Sequence, residues 1–290
     1  MFSPERPFCD WHLSGFENAP AFLFKSLEST HSLMKAHAAA AKIVPGTLMV
    51  ADTQTAGRGR HERTWVSPAG LNLYFNILIP LDGIPLASAP QITQVAALTF
   101  AEIFKCLQDD ANAQGLGNQD IGKVTVKWPN DILCGKHKFC GILAELVYVP
   151  SAQGSPKPAI NMGVGINVNS SPTDYAHLGR SVTTLKDICG RGINREKLLQ
   201  ALIGNLERAI GQFRAFGIRP WVAAWKRMDQ FIGARGTIVV NNRCTDQNRD
   251  SGEGSVKKTG CILDMQDDGS LRFLCDDGTI ETVYSADLEI

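Results

Sequence analysis

Two apolar stretches near the middle of the chain, 138–149 and 159–168, flank a Pro/Ser/Gly-rich segment at 150–158. β-type runs joined by so short and turn-rich a connection read as an antiparallel hairpin. Glycine notches both arms: Gly141 in the first, Gly163 and Gly165 in the second. Glycine inside a strand weakens it, and marks either a bend in the sheet or a place where something lies against the backbone. Lys138 opens the first arm and Asn167 ends the second, so each notch has a polar group beside it.

The other elements follow from periodicity and punctuation. An N-cap at Ser29 or Thr30 starts an Ala-rich helix. Strands are expected at 47–51, 71–79 and 123–127, and amphipathic helices at 91–107, 195–216 and 220–231. The polar, Gly-containing stretch 109–122 reads as an insertion loop. After Gly233 the character changes: short β-like runs at 236–240, 260–264, 270–275 and 280–285 alternate with turns such as Asp267-Asp268-Gly269 and Asp276-Asp277-Gly278. The polar stretch 241–258 reads as a loop among them. The expected class is α+β, with a mixed sheet flanked by helices over 1–232 and a small β-barrel over 233–290.

Composition removes several partners. The 290 residues carry a formal net charge of +0, so no global basic field points to nucleic acid or an anionic membrane. No apolar run reaches the ~18 residues that a membrane span needs. The eight cysteines, Cys9, Cys106, Cys134, Cys140, Cys189, Cys244, Cys261 and Cys275, form no CxxC pair and no metal-type cluster. They read as reduced thiols of a cytosolic protein. The first residues show no secretory pattern, which again points to the cytoplasm. Monomer and weak homodimer remain equally compatible with the sequence.

Recognition of an anion must therefore be local. Gln54-Thr55-Ala56-Gly57-Arg58-Gly59-Arg60 joins two guanidinium groups to glycines that allow main-chain amides to approach phosphate. It is neither a P-loop nor a dinucleotide fingerprint, since neither Gly-Lys-Ser/Thr nor GxGxxG is there. Trp65 suits stacking on a base, and equally an anchor to the core. In Lys127-Trp128-Pro129-Asn130-Asp131 a strand ends in a proline turn, and Asn130 or Asp131 suits magnesium, ribose or base as well as a plain turn. Lys138 is a point charge for a carboxylate or phosphoryl oxygen if it faces a cleft, and a solubilising edge residue if it does not.

Together and in this order, these motifs resemble the biotin protein ligases (biotin–(acetyl-CoA-carboxylase) ligase, or holocarboxylase synthetase). The resemblance runs from about Phe24 to the C-terminus. It covers Leu27-Glu28-Ser29-Thr30, Gln54 with Gly57 to Arg60, Trp65, Lys127 to Asp131, Lys138 to Glu145 and Gly163 to Asn167. It implies that ATP and biotin, with magnesium, form biotinyl-5′-adenylate, and that the biotinyl group then passes to a lysine of a biotin carboxyl carrier domain. It implies a C-terminal SH3-like barrel. It assigns Ser29, Thr30, His31, Gln54, Arg58, Gly59, Arg60, Lys138, Gly141 and Gly163 to biotin, and Arg58, Arg60, Trp65, Lys127, Asn130, Asp131 and Asn167 to ATP. Lys138, Arg58 and Arg60 are its expected catalytic groups and Asp131 its expected magnesium contact. His31 departs from the Asn that the family often has there. The stretch before Leu27 is too short for the DNA-binding winged helix of bifunctional members, so no nucleic-acid partner is expected. A lipoate–protein ligase and a non-catalytic module on the same fold are the two rival readings.

Overall fold

The computed structural model describes residues 10–60, 63–151, 154–179, 181–241, 255–284 and 286–290. Seven strands form the larger sheet: β1 (Ala21–Leu27), β2 (Leu48–Gln54), β3 (Leu73–Pro80), β4 (Val124–Lys127), β5 (Asp131–Cys134), β6 (His137–Ser151) and β7 (Gly154–Ile166). Their order is β1-β2-β3-β7-β6-β5-β4. β1 and β2 run parallel, joined through helix α1 (Thr30–Ala39), and every other neighbour is antiparallel. A mixed sheet results, as the sequence predicts.

The β6–β7 hairpin is the longest pairing, and it is longer than its composition suggests. The expected loop at 150–158 is largely strand: Tyr148 pairs with Pro158 and Val149 with Lys157. Prolines are tolerated there because β3 pairs with β7 only as far as Ala159, so this end of β7 has one neighbour rather than two. The expected loop at 109–122 is likewise partly regular, because α2 continues to Ala113. Its polar residues face water, where Lys105 pairs with Asp109 and Asp110 with Arg191, while Ala111 is fully buried. One buried face is enough to extend a helix.

Alternation along the strands decides where the core and the open face lie. On β7, Ile160, Met162, Val164 and Ile166 enter the large core, together with Phe75, Ile77 and Ile79 of β3 and Ile142 of β6. Helices α2 (Gln91–Ala113), α4 (Arg195–Phe216) and α5 (Arg219–Met228) cover that face, and the short α3 (Leu185–Cys189) packs against α2. Phe104 meets Phe139 edge to face at 5.2 Å. The opposite face is covered only in part, by α1 through Met34 and Ala38. The odd-numbered β7 residues Asn161, Gly163 and Gly165 lie on that second face.

The C-terminal sheet has five antiparallel strands, β8 (Arg235–Asn241), β9 (Ser255–Met265), β10 (Leu271–Cys275), β11 (Ile280–Val283) and β12 (Asp287–Glu289), in the order β11-β10-β9-β8-β12. This is consistent with an SH3-like domain. Of the expected loop at 241–258, Asn241 belongs to β8 and residues 255–258 to β9, and 242–254 lies outside the described residues. Four of the cysteines are free and buried, and Cys9 and Cys244 lie outside the described residues. No helix among the described residues is long and apolar enough to cross a membrane.

One buried cluster runs through both sheets: Met265, Leu271 and Phe273 join Trp128, Ile218 and Trp225. The Asp-Asp-Gly turn fastens them together. The carbonyl of Gly269 accepts from Trp128 Nε1 at 3.1 Å and from Gln94 Nε2 at 2.8 Å. Gly269 has φ +79°, and a Cβ on it would lie 2.4 Å from Gln94 Oε1 and 2.8 Å from Ile218 Cδ1. Gly269→Ala therefore combines a left-handed backbone with a clash. It is expected to cost about 2–3 kcal/mol, read from the denaturant midpoint. An unchanged midpoint would show that this junction does not couple the two sheets.

Candidate active site

The open face is shaped by what its residues lack. Gly163 pairs with Asn76 on one side and Leu143 on the other, while Gly165 pairs with Tyr74 and Gly141. Gly141 and Gly165 are thus side by side, with Gly163 two residues along the same face. None of the three is among the glycines with positive φ, so no left-handed backbone calls for them. Close approach does. A Cβ on Gly165 would lie 2.4 Å from Trp65 Cε2, one on Gly141 would lie 3.1 Å from Lys138 Nζ, and one on Gly163 would lie 3.1 Å from His31 Nδ1. The glycines clear a trough that Trp65, Lys138 and His31 overhang.

Around this floor lies an open cleft. It is lined by most of the residues singled out from sequence: Ser29, Thr30, His31, Gln54, Arg58, Gly59, Arg60, Trp65, Asn130, Asp131, Lys138, Gly141 and Gly163. Lys127 and Asn167 do not line it. Lys127 reaches over the Phe231 ring at 6.0 Å, and burial lowers its pKa. Asn167 lines a smaller cavity of about 270 Å³ that shares Trp65 and Lys138 as walls. There Asn167 Oδ1 and Trp65 Nε1 are buried with no hydrogen-bond partner among the described residues.

One end of the cleft is polar and largely uncharged. Ser29 caps α1, accepting from Ser32 N, and so turns Thr30 and His31 onto the sheet. The Thr30 hydroxyl lies 2.7 Å from Asn76 Oδ1 and 3.0 Å from Gln54 Oε1. Asn76 Nδ2 donates to Asn161 Oδ1 at 2.7 Å and faces His31 Nδ1 at 3.1 Å. Glu145 meets His31 Nε2 at 3.1 Å and also pairs with Lys35. Burial lowers the His31 pKa, and Arg58 and Lys35 lower it further, against the pull of Glu145. Burial alone would raise the Glu145 carboxyl, but hydrogen bonds from Lys35 and His31 bring it below its usual range. Asn76 escaped the sequence reading, and its signal was a lone amide in the apolar run Leu73 to Ile79.

The other end gathers cations. Lys138 Nζ donates to Asp131 Oδ1 at 2.6 Å. Arg60 donates to Asn130 Oδ1 at 3.1 Å, and Asn130 Nδ2 donates to the Ile142 carbonyl at 2.7 Å, so the proline turn holds the arginine loop against β6. Asp287 of β12 lies 3.4 Å from Arg60 and 3.2 Å from Arg63. No sequence signal links Asp287 to these arginines, since only the folded C-terminal sheet brings them together. The arginine loop itself is pinned by Gly59 N to Arg63 O (2.6 Å) and Trp65 N to Gly57 O (2.9 Å). Neither Gly57 nor Gly59 takes a positive φ, contrary to the conformational role expected for them. Gly57 serves close packing instead: a Cβ there would sit 2.4 Å from the Trp65 carbonyl. His61 and Glu62 lie outside the described residues. Among the described residues no group of three or more His, Cys, Asp or Glu could hold a metal by itself.

A family model described as the biotin/lipoate A/B protein ligase family matches residues 23–167, the half of the chain that supplies every lining residue named above except Asp287. The chain belongs to the biotin/lipoate A/B protein ligase family. Over 246 residues it is 32% identical to the bifunctional ligase/repressor BirA of Bacillus subtilis, spanning 84% of this chain and 66% of that relative. It is 30% identical over 227 residues to the biotin–(acetyl-CoA-carboxylase) ligase of Paracoccus denitrificans, spanning 74% of this chain and 88% of the relative. The solved biotin protein ligase of Aquifex aeolicus, in complex with biotin and ATP, shares the fold with a TM-score of 0.67 at 24% identity, over 93% of this chain and 97% of that one.

The trough yields a direct check. Gly165→Ala would push the Trp65 indole off its seat, because the new methyl would lie within 3 Å of three indole atoms. Acrylamide quenching of tryptophan emission is expected to rise while β7 stays paired by circular dichroism. Unchanged quenching would mean that Trp65 does not rest on this glycine.

Proposed function

We propose that the chain is an ATP-dependent biotin–protein ligase. The supporting observation is the single cleft, with an uncharged polar end, a glycine floor and a cationic end in sequence along it. The family membership supports the same reading. Biotin presents a neutral cyclic urea at one end and a carboxylate at the other, and the cleft offers matching environments for both. A dithiolane ring, with no N–H and no carbonyl, could make no comparable hydrogen bonds to the Thr30–Gln54–Asn76 groups, so lipoate is the weaker fit.

In the first step a biotin carboxylate oxygen attacks the α-phosphorus of ATP. The new O–P bond forms as the bond to pyrophosphate breaks, and biotinyl-5′-adenylate and pyrophosphate result. Two anions must meet, so fixed cations have to offset their repulsion. Lys138, Arg58 and Arg60 are the groups assigned that work. Lys138 is held in place by Asp131 at 2.6 Å and sits 5.6 Å from the Trp65 ring centroid. Magnesium arrives with ATP as substrate. Asp131 is the carboxylate that would touch it, in keeping with the habit of magnesium to take most ligands from phosphate and water. Trp65 is assigned to the base, and Asn167 lines the small cavity that shares Trp65 as a wall. In the second step a carrier-domain lysine amine attacks the acyl carbon, AMP leaves with the C–O electrons, and the amine loses a proton.

Residues 1–232 are assigned as the catalytic unit and 233–290 as a cap that steadies the arginine loop through Asp287. The partner is a biotin carboxyl carrier domain, and the cytoplasm is the assigned compartment. The test is to mix the protein with MgATP, a carrier domain and either biotin or lipoate, and to follow acyl transfer by mass. Transfer of biotin in preference to lipoate is expected, and transfer of neither would contradict the proposal. Lys138→Ala should remove a charge-assisted contact worth about 2–4 kcal/mol in the transition state. Biotin-dependent pyrophosphate release should fall by orders of magnitude in a folded protein, and near-normal turnover would exclude Lys138 from the chemistry.

A further inference from the structure

His31 is bound into a closed ring of hydrogen bonds that starts from its own backbone. The His31 carbonyl can only accept, and it takes a proton from Asn161 Nδ2 at 2.9 Å. That fixes the Asn161 amide with Oδ1 towards Asn76, so Asn76 must present Nδ2 to it, at 2.7 Å. The second N–H of Asn76 then points to His31 Nδ1 at 3.1 Å, which must be the bare nitrogen. The imidazole proton is left on Nε2, facing Glu145 Oε2 at 3.1 Å. With its nitrogen so engaged, Asn76 turns Oδ1 to the Thr30 hydroxyl at 2.7 Å. The Thr30 proton goes to this nearer oxygen rather than to Gln54 Oε1 at 3.0 Å, which already accepts from the Thr30 backbone N–H, and the hydroxyl lone pairs are left for whatever enters the cleft.

We infer that His31 is a positioning residue for the acyl substrate: its neutral Nε2–H form orients Asn76, and through it Thr30, so that this end of the cleft accepts hydrogen bonds from the N–H groups of a neutral cyclic urea. This rests on the ligase reading above. A second proton on His31 would set Nδ1–H against Asn76 N–H. Turning the Asn76 amide over would then face two carbonyl oxygens across the Asn76–Asn161 pair, and would take up a Thr30 lone pair while the Thr30 proton turned to Gln54 Oε1. Every amide in the ring is buried, so no water can take up the mismatch at low cost. The charged groups around the imidazole are Glu145 of β6, Lys35 of α1 and Arg58 of the arginine loop, while β3 and β7 present only Asn76, Asn161 and Gly163. Burial, Lys35 and Arg58 all favour the neutral ring. The positioned state is therefore complete at neutral pH and is lost as pH falls through the lowered imidazole pKa.

The test is biotin binding by calorimetry without ATP, from about pH 8 down to about pH 5, a window in which imidazoles titrate. Wild-type affinity is expected to fall about tenfold towards the acid end, the effect of one mismatched buried donor pair. His31→Asn keeps an acceptor towards Asn76 and cannot titrate, so its affinity should be flat with pH. His31→Gln places its amide towards Glu145 and loses the acceptor, so it should bind about tenfold more weakly at every pH. Wild-type affinity that is flat with pH, or an unaltered slope in His31→Asn, would overturn the role of His31 and leave the ligase reading standing. Absence of biotin binding at every pH would overturn both. Nitrogen-15 NMR of the His31 ring in the wild-type protein gives a check that needs no variant: a proton on Nδ1 at neutral pH contradicts the inference.

Discussion

The antiparallel pairing of β7 between β3 and β6 is the constraint on which the site depends. It fixes Gly163 opposite Asn76 and Leu143, and Gly165 opposite Tyr74 and Gly141. Because side chains alternate along a strand, the same pairing sends Met162, Val164 and Ile166 into the core beneath. A slip of one residue would bury the glycines and push the core residues into the cleft. Site and core are thus two faces of one register, and the apolar face supplies the energy that holds the bare face open.

Charge is arranged with similar economy. The chain as a whole is neutral, yet Arg58, Arg60, Arg63 and Lys138 all line one cleft, answered there by Asp131 and Asp287. Asp287 comes from the C-terminal sheet and Asp131 from the larger one. Each carboxylate lowers the cost of holding cations close together before any anion arrives. The C-terminal sheet reaches the site through Asp287, and reaches the core through the Gly269 carbonyl.

Local patterns made much of this readable. The hairpin, its glycine notches, the Ser29 cap and the α4 and α5 helices all show in residue spacing, and most of the lining side chains fall within four short motifs. What stayed hidden depends on contacts distant in sequence. β12 is short, and the pairing partners of β1 and β12, β2 and β8, are set by the fold. β5 looked like the tail of a turn because Asn130 and Asp131 are good turn residues. Residues 109–113 looked like loop because a helix exposed on most sides needs only Ala111 to anchor it. Lys127 and Asn167 share motifs with lining residues but reach elsewhere, to Phe231 and to the Thr183 carbonyl, which no spacing reveals. The link between His31 and Asn76 joins α1 to β3 and depends on amide directions that only the assembled sheet defines.

The central claim is that the glycine trough seats an acyl-adenylate with its cyclic urea at the Asn76 end. A crystal structure with a non-hydrolysable biotinyl-adenylate analogue tests it most directly. The expected density has the cyclic urea against Thr30 and Asn76, the linker over Gly163 and the phosphate between Arg58 and Lys138. Density in the neighbouring groove beside Leu146 and Tyr284, with the trough left empty, would contradict the account.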